Sequence, residues 1–187
     1  MPDLRRLFLA LQPEPEVRRR LQQEVLRCGL SGRMVPEDNY HVTLVFLGQC
    51  DDERRERILR AAGKAPVGVV GLDLARLEFW PGPGIQALVP ERLEPTIHRL
   101  YHELVAVLGE HGIPVATSRF QPHVTVSRRA RPIGVQAVSC PPLAFDRFHL
   151  FESVPTPGGV RYVSLASWSL AGPEAGPGGA AHLGSME

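Results

Sequence analysis

The sequence is almost without lysine. Lys64 is the only lysine among 21 basic residues, and all the others are arginines. Acidic residues number 20, so the formal net charge is only +1 and a uniformly basic surface for nucleic acid is excluded. A polyanion could bind only at a local cluster of basic side chains. The arginine excess has two explanations. One is the base composition of the genome; the other is phosphate recognition by a planar guanidinium, which is no general base at neutral pH.

Cysteine and long apolar runs are also scarce. Cys28, Cys50 and Cys140 are odd in number and far apart, which argues against a disulfide framework or a cysteine-based zinc site and fits a reducing compartment. The apolar run at residues 7–11 is too short for a signal sequence or a membrane span. We therefore expect a cytoplasmic protein that does not enter a membrane.

The order of sequence patterns predicts a mixed α+β domain over residues 1–170. Apolar periodicity predicts three helices, and β-rich runs surround them without a βαβ rhythm or a glycine-rich phosphate loop. Residues 171–187 are rich in Gly and Pro and are predicted to form a disordered tail. The helices are predicted at 14–28, 51–62 and 94–108, and the strands at 5–11, 40–48, 67–79, 85–89, 119–128, 143–151 and 160–170.

One four-residue pattern occurs twice, about half a chain apart. It reads His-Val-Thr followed by an apolar residue, at positions 41–44 and again at 123–126. In a strand, successive side chains alternate between faces, so each His shares a face with its Thr. By the same alternation Val42, Leu44 and Phe46 face the other way, into the core. The pattern therefore predicts that both His/Thr faces line a cleft.

The chemistry of this residue set suits a phosphodiester. Histidine titrates near pH ~6.5, so one imidazole can begin neutral as a general base and another protonated as a general acid. Thr43 and Thr125 would donate their hydroxyls to non-bridging phosphate oxygens, and an arginine would add charge, so no metal is required. A single His-x-Thr is more often an ordinary strand histidine, but two copies in separate predicted strands favour the site.

The two motifs and their flanks resemble the two-histidine phosphoesterase superfamily. The similarity is greatest to its RNA 2′,3′-cyclic phosphodiesterase branch, also called the 2′-5′ RNA ligase family, and it extends from about Arg5 to Leu170. Order, spacing and flanking residues all agree with that family. The stretches that carry the resemblance are Arg6–Leu11, Asn39–Gly48, Arg119–Arg128 and Phe148–Ser153.

The resemblance implies a bilobal fold and a metal-free reaction. Two pseudo-symmetric lobes, each an antiparallel sheet backed by helices, would face each other across a central groove with one motif in each. The implied activity is ATP-independent hydrolysis of a terminal RNA 2′,3′-cyclic phosphate to a 2′-phosphate, accompanied by reversible 2′-5′ ligation. The partners would be RNA 3′ ends or nucleoside 2′,3′-cyclic phosphates, with no cofactor, and the small, nearly neutral chain suggests a monomer.

Individual roles follow as hypotheses. His41 is assigned as general acid and His123 as general base, although near-equivalence of the motifs leaves the reverse order open. Arg128 is a candidate phosphate contact or, alternatively, an exposed salt-bridging arginine. Phe8 and Tyr40 are candidates for packing against a base or ribose, with a core role as the alternative.

Two other functions are compatible with the same residues, and three further residues have the spacing or position of a site. The alternatives are a non-catalytic module that binds RNA ends, and the same fold acting on small cyclic phosphates or 2′-5′ oligonucleotides. His98 and His102 have the i, i+4 spacing of a metal pair, but the apolar stripe of their helix lies elsewhere, which favours a solvated face. Ser127 is predicted to share the face of Thr125, without the glycine-flanked turn of a nucleophilic serine.

Overall fold

The computed structural model describes residues 4–65, 68–116 and 119–170. Within these ranges every strand pairing is antiparallel. The helices are α1 (Pro15–Leu26), α2 (Asp52–Ala62) and α3 (Pro95–Glu110), and a 3-10 turn covers Glu37–Asn39. The strands are β1 (Arg5–Leu11), β2 (Arg33–Met34), β3 (Val42–Cys50), β4 (Val70–Leu72), β5 (Leu74–Trp80), β6 (Ile85–Pro90), β7 (Val124–Arg128), β8 (Gln136–Ala137), β9 (Leu143–Phe145), β10 (Arg147–Thr156) and β11 (Gly159–Ser169). The predicted tail at 171–187 lies outside the described residues.

The three helices begin where local chemistry favours a helix start. Pro15 and Pro95 occupy the first turns of α1 and α3, where a missing N–H costs nothing. The Asp51 side chain accepts a 2.8 Å hydrogen bond from the Arg54 backbone N–H and caps α2. No helix in the described ranges is long and apolar enough to cross a membrane.

The sheet joins two halves of the molecule at one point. Its strand order is β11-β10-β1-β3-β7-β6-β5-β8, with β2 paired to β7 and a separate two-stranded sheet formed by β4 and β9. Strands β3 and β7 are paired through a single residue pair, Val42 and Val124. The α+β, antiparallel, two-half architecture predicted from the sequence is confirmed, and the structure adds that the two halves form one continuous sheet.

The two faces of the sheet have different roles. One face and all three helices form the main core, which includes Leu9 on β1, Val42 on β3 and Val124 on β7. The opposite face carries two small apolar clusters, one around Phe8 in the first half and one around Ala87 in the second. Because every helix packs on the same side, the other side of the sheet is left for the groove.

Two predicted strands are each divided in the structure. The described part of 67–79 forms β4 and β5, and residues 143–151 form β9 and the beginning of β10. The breaks fall at Asp73 and Asp146, which are both exposed. At these positions the chain passes from the two-stranded sheet to the large sheet. Only one or two charged residues interrupt the β-rich pattern there, without a glycine or proline, so the sequence favours one long strand in each place.

Candidate active site

The two motifs lie side by side where the halves of the sheet meet. Val42 on β3 pairs with Val124 on β7, and both are fully buried. Continuing this antiparallel register puts His41 opposite Thr125 and Thr43 opposite His123. These four half-buried side chains therefore form a compact square on the open face.

Both imidazoles are held in the same orientation. His41 Nδ1 lies 2.7 Å from the Asn39 carbonyl, and His123 Nδ1 lies 2.7 Å from the Gln121 carbonyl. A carbonyl can only accept, so each Nδ1 carries a hydrogen and donates it, which leaves Nε2 as the nitrogen that exchanges a proton. Nε2 of His41 lies 3.0 Å from the Thr43 hydroxyl oxygen. Each motif thus presents one reactive nitrogen.

The surroundings disfavour the charged form of both rings. Burial lowers the pKa of His41 to about 4; the hydrogen bond to the Asn39 carbonyl opposes this shift, and the positive charges of His123 and Arg128 add to it. Burial also lowers the pKa of His123, with the hydrogen bond to the Gln121 carbonyl opposing it and the charge of Arg128 adding to it. A bound phosphate anion would supply the opposite charge that both rings lack.

Phe46 was predicted to face the core, and this prediction is wrong. Leu9 pairs with Val45 and Ala10 with Thr43, so Leu44 is an extra residue in β3, a β-bulge. The bulge shifts the alternation by one, so that Leu44 and Val45 are both buried while Phe46 is 67% exposed. Phe46 consequently lies on the groove side, with its ring centroid 6.5 Å from that of Phe8.

A second bulge at the equivalent place brings Arg128 to the groove. Gln86 pairs with Ser127 and Ala87 with Thr125, so Val126 is the extra residue in β7. Ser127 is therefore fully buried and its hydroxyl donates to the Ser31 carbonyl, which corrects the prediction that it shares the face of Thr125. Arg128 is exposed and its charge acts on both histidines.

The backbone next to Arg128 is fixed by a close approach of the chain. Residues Arg33 and Met34 pair with Arg128 and Ser127. Gly32 precedes this pair at φ +78°, and a Cβ there would lie 2.5 Å from the Arg128 carbonyl oxygen. Only glycine satisfies both the backbone angle and the space, so this contact holds the end of β7 in place.

Aromatic rings enclose both imidazoles. The His41 ring centroid lies 5.1 Å from that of Phe8 and 4.8 Å from that of Tyr162, which meets it edge-on. The His123 ring lies 4.5 Å from Trp80. Phe8 and Tyr162 also line a cavity of about 440 Å³ together with Arg6, Phe46 and Arg128. Trp80 and Tyr162 were not predicted as site residues, because they come from strands far from the motifs in the chain.

Tyr40 does not belong to the groove. Its side chain is 0% exposed and packs within the main core. A ring without exposed surface cannot contact a base or ribose, so the core alternative applies and the substrate-contact hypothesis for Tyr40 is wrong.

Asn39 is a further residue of the site, and no sequence pattern predicts its role. Its carbonyl accepts the His41 Nδ1 hydrogen bond, its side-chain amide donates to the Val160 carbonyl at 2.6 Å, and its side-chain oxygen accepts from the Tyr162 N–H at 3.3 Å. The residue is nearly buried. Asn39 therefore ties the hairpin of β10 and β11, and with it the Tyr162 ring, to the first motif.

Replacing Asn39 with alanine is expected to destabilise the fold and the site together. The change leaves the Val160 carbonyl and the Tyr162 N–H without their partner, at a cost of about 1–3 kcal/mol in the free energy of unfolding. Urea denaturation measures this loss. The matched control is Gln23→Ala, at an exposed position of α1, which should change the free energy of unfolding by less than about 0.5 kcal/mol. Equal midpoints for the two variants would contradict the assigned role.

The remaining candidate histidines lie on α3. His102 is exposed, as a solvated face predicts, whereas His98 is half-buried with its ring edge-on to Phe120 at 5.1 Å. Across the described ranges no group of three His, Cys, Asp or Glu side chains is placed to hold a metal ion.

Fold and site together define a phosphoesterase of the two-histidine class. The open face of an antiparallel sheet sets two His-x-Thr pairs side by side, with Nε2 of each histidine free of the backbone and an arginine beside them. This arrangement offers a proton donor, a proton acceptor and an anion contact at one place.

Comparison with known proteins gives the family. A model of LigT-like phosphoesterases matches residues 11–85. The RNA 2′,3′-cyclic phosphodiesterase of Thermus thermophilus is 31% identical to this chain, and the match covers 89% of this chain and 91% of the relative. The RNA 2′,3′-cyclic phosphodiesterase of Escherichia coli is 27% identical, and the match covers 91% of this chain and 99% of the relative. The crystal structure of Escherichia coli LigT with 3′-AMP has a TM-score of 0.80 and 25% identity, over 90% of this chain and 98% of that one. The chain therefore belongs to the LigT-like phosphoesterase family.

Proposed function

We propose that this protein hydrolyses the 2′,3′-cyclic phosphate at an RNA 3′ end to a 2′-phosphate without a metal ion. The observation that carries the proposal is the matched orientation of two imidazoles, each with Nδ1 fixed on a carbonyl and Nε2 left for proton transfer. The family relatives bearing the name RNA 2′,3′-cyclic phosphodiesterase support the choice of substrate.

The reaction needs two proton transfers at one phosphorus atom. His123 Nε2 takes a proton from water as the water oxygen bonds to phosphorus. The bond from phosphorus to the ribose 3′ oxygen breaks, and His41 Nε2 gives its proton to that oxygen. Thr43, Thr125 and Arg128 hold the non-bridging oxygens while negative charge builds on them.

The same groove accommodates a related joining reaction. If a nucleoside 5′-hydroxyl replaces water as the nucleophile, an identical pair of proton transfers gives a 2′-5′ phosphodiester, and the reverse reaction opens it. Nucleoside 2′,3′-cyclic phosphates are the minimal substrates for hydrolysis. We place the protein in the cytoplasm as a monomer, in keeping with its unpaired cysteines and its small, nearly neutral chain.

The direct test is turnover of an RNA that ends in a 2′,3′-cyclic phosphate, with and without EDTA. We expect a 2′-phosphate product at the same rate in both samples, identified by its resistance to a 3′-nucleotidase. Complete loss of turnover in EDTA, restored by a divalent cation, would overturn the metal-free mechanism. Saturable binding without product would instead indicate a non-catalytic module for RNA ends.

The pH profile of kcat/KM is expected to be bell-shaped with its maximum below about pH 6.5. The active form carries one proton on the histidine pair, and the assigned roles put it on His41. Both pKa values are lowered in the free protein, that of His41 to about 4, so His41 needs the negative charge of the bound phosphate to hold this proton. Raising the pH removes this last proton, so kcat/KM should fall through the neutral range. The kcat profile should lie at higher pH, because bound phosphate raises both pKa values. A flat kcat/KM between about pH 5 and 8 would contradict the two-histidine mechanism.

A further inference from the structure

Two adjoining pockets extend the groove away from His123 across the second half of the sheet. The inner pocket, of about 220 Å³, contacts Thr43, Phe46 and His123, so it begins at the catalytic square. The outer pocket, of about 200 Å³, lies further from the motifs and reaches Arg76 and Arg92. Trp80, Arg119, Phe120 and Gln121 line both pockets, which makes them one channel.

The walls of the channel combine aromatic rings with arginines. Trp80 is half-buried beside His123, and its indole N–H donates to Glu78 at 3.3 Å, which fixes the ring. Phe120 is supported on one side by a stacked Tyr101 at 4.4 Å. Aromatic faces that alternate with basic side chains are the usual means of binding single-stranded nucleic acid without sequence preference.

The charge of the outer pocket favours a polyanion. Arg76 is paired with Glu78 at 3.3 Å, so these two charges largely cancel. Arg92 and Arg119 are exposed and form no ion pair with any residue that the structure describes. Against Glu91, the remaining acid of the pocket, two uncompensated arginines leave a net positive wall.

We infer that this channel binds the RNA that precedes the reacting end, with the nucleotides upstream of the cyclic phosphate running past Trp80 and Phe120 towards Arg119 and Arg92. The inference rests on the proposed function, because it takes the reacting phosphate to lie at the histidine pair. On this inference the protein binds several nucleotides of the RNA and not the terminal nucleotide alone. It also gives a role to part of the arginine excess.

The test measures binding and turnover separately. Binding is followed by fluorescence anisotropy with 5′-labelled oligonucleotides of one, two, four and six residues that end in a 2′-phosphate, the product end that cannot turn over. Turnover is measured with the corresponding 2′,3′-cyclic ends. In the wild type, affinity and kcat/KM should both increase from one to about four nucleotides and then level off.

The informative variant is the double change R92Q/R119Q, and the matched control is R20Q/R60Q, two exposed arginines on α1 and α2. The channel variant should lose the advantage of longer oligonucleotides while keeping kcat/KM for a cyclic mononucleotide. The slope of log affinity against log salt for the four-nucleotide ligand should fall by about 1.4, at about 0.7 for each lost phosphate contact on a single strand. The control should keep both the advantage and the slope.

The outcomes separate this inference from the proposed function. Affinity that does not depend on length in the wild type, or an R92Q/R119Q variant that behaves like the control, overturns the channel and leaves the hydrolysis intact. Length-dependent binding that is lost in R92Q/R119Q, with no turnover of any cyclic end, supports the channel and overturns the hydrolysis.

Discussion

Alanine at His41 or at His123 lowers kcat for a cyclic-phosphate RNA end by about 10²–10⁴-fold, the usual contribution of a positioned proton donor or acceptor. Both histidines lie on the open face of the sheet and neither supports the core, so the melting temperature should stay close to that of the wild type. His102→Ala, an exposed histidine on α3, is the matched control and should keep full activity. Turnover within tenfold of wild type for both motif variants would refute the mechanism.

The roles of the two histidines can be separated with a leaving group that needs no proton. In a 4-nitrophenyl ester of a 3′-deoxynucleoside 2′-phosphate, which has no neighbouring hydroxyl to attack phosphorus, water is the nucleophile and the phenolate departs unassisted, whereas the ribose oxygen of the cyclic phosphate must be protonated. His41→Ala should therefore lose much less activity on the ester than on the cyclic phosphate, and His123→Ala should lose a similar factor on both. The opposite result would exchange the acid and the base.

Replacing Arg128 with glutamine is expected to lower kcat by about 10²–10³-fold, as the loss of one preorganised contact to developing negative charge does elsewhere. The guanidinium lies on the groove face because of the bulge at Val126, and its charge acts on both imidazoles. The glutamine keeps the length and polarity of the side chain but removes the charge, so the measured loss reports on electrostatics.

The R128Q variant should also shift the pH profile of kcat/KM, which would not happen if Arg128 had only a structural role. Arg128 lowers the pKa of His41 and of His123, so removing its charge should raise both values. The falling limb of the kcat/KM profile should then move to higher pH. Arg131→Gln, an exposed arginine just beyond β7, should change neither the rate nor the profile. An unshifted limb in R128Q would place Arg128 outside the electrostatic reach of the pair.

The parts of the site that could be predicted from the sequence are those encoded locally. His41, Thr43, His123 and Thr125 follow from one short pattern and from the alternation of a strand, and the structure brings all four to one face. The alternation of side chains between the two faces of the strand breaks at the residue after the threonine in both motifs. The bulges form at Leu44 and Val126, where neither strand has a glycine or proline to mark an irregularity, so the sequence favoured an unbroken strand and placed Phe46 wrongly.

The parts that could not be predicted depend on distant pairings. Asn39 contacts Val160 and Tyr162, which lie more than a hundred positions further along the chain. Trp80 reaches His123 only because β5, β6 and β7 are neighbours in the sheet. Strands as short as β2 and β8 have no periodicity of their own and exist through their partners. Such contacts have no signature in a single sequence.

The twin bulges also give the groove a direction. The residue five positions after each histidine is the one that the bulge turns outward, and it is Phe46 in one half and Arg128 in the other. RNA has polarity, and a truly two-fold groove would accept it equally well in either orientation, half of them unproductive. Because the bulge turns a hydrophobic ring outward in one half and a cation outward in the other, the two halves of the groove are chemically different, and the duplicated frame favours one orientation of the strand.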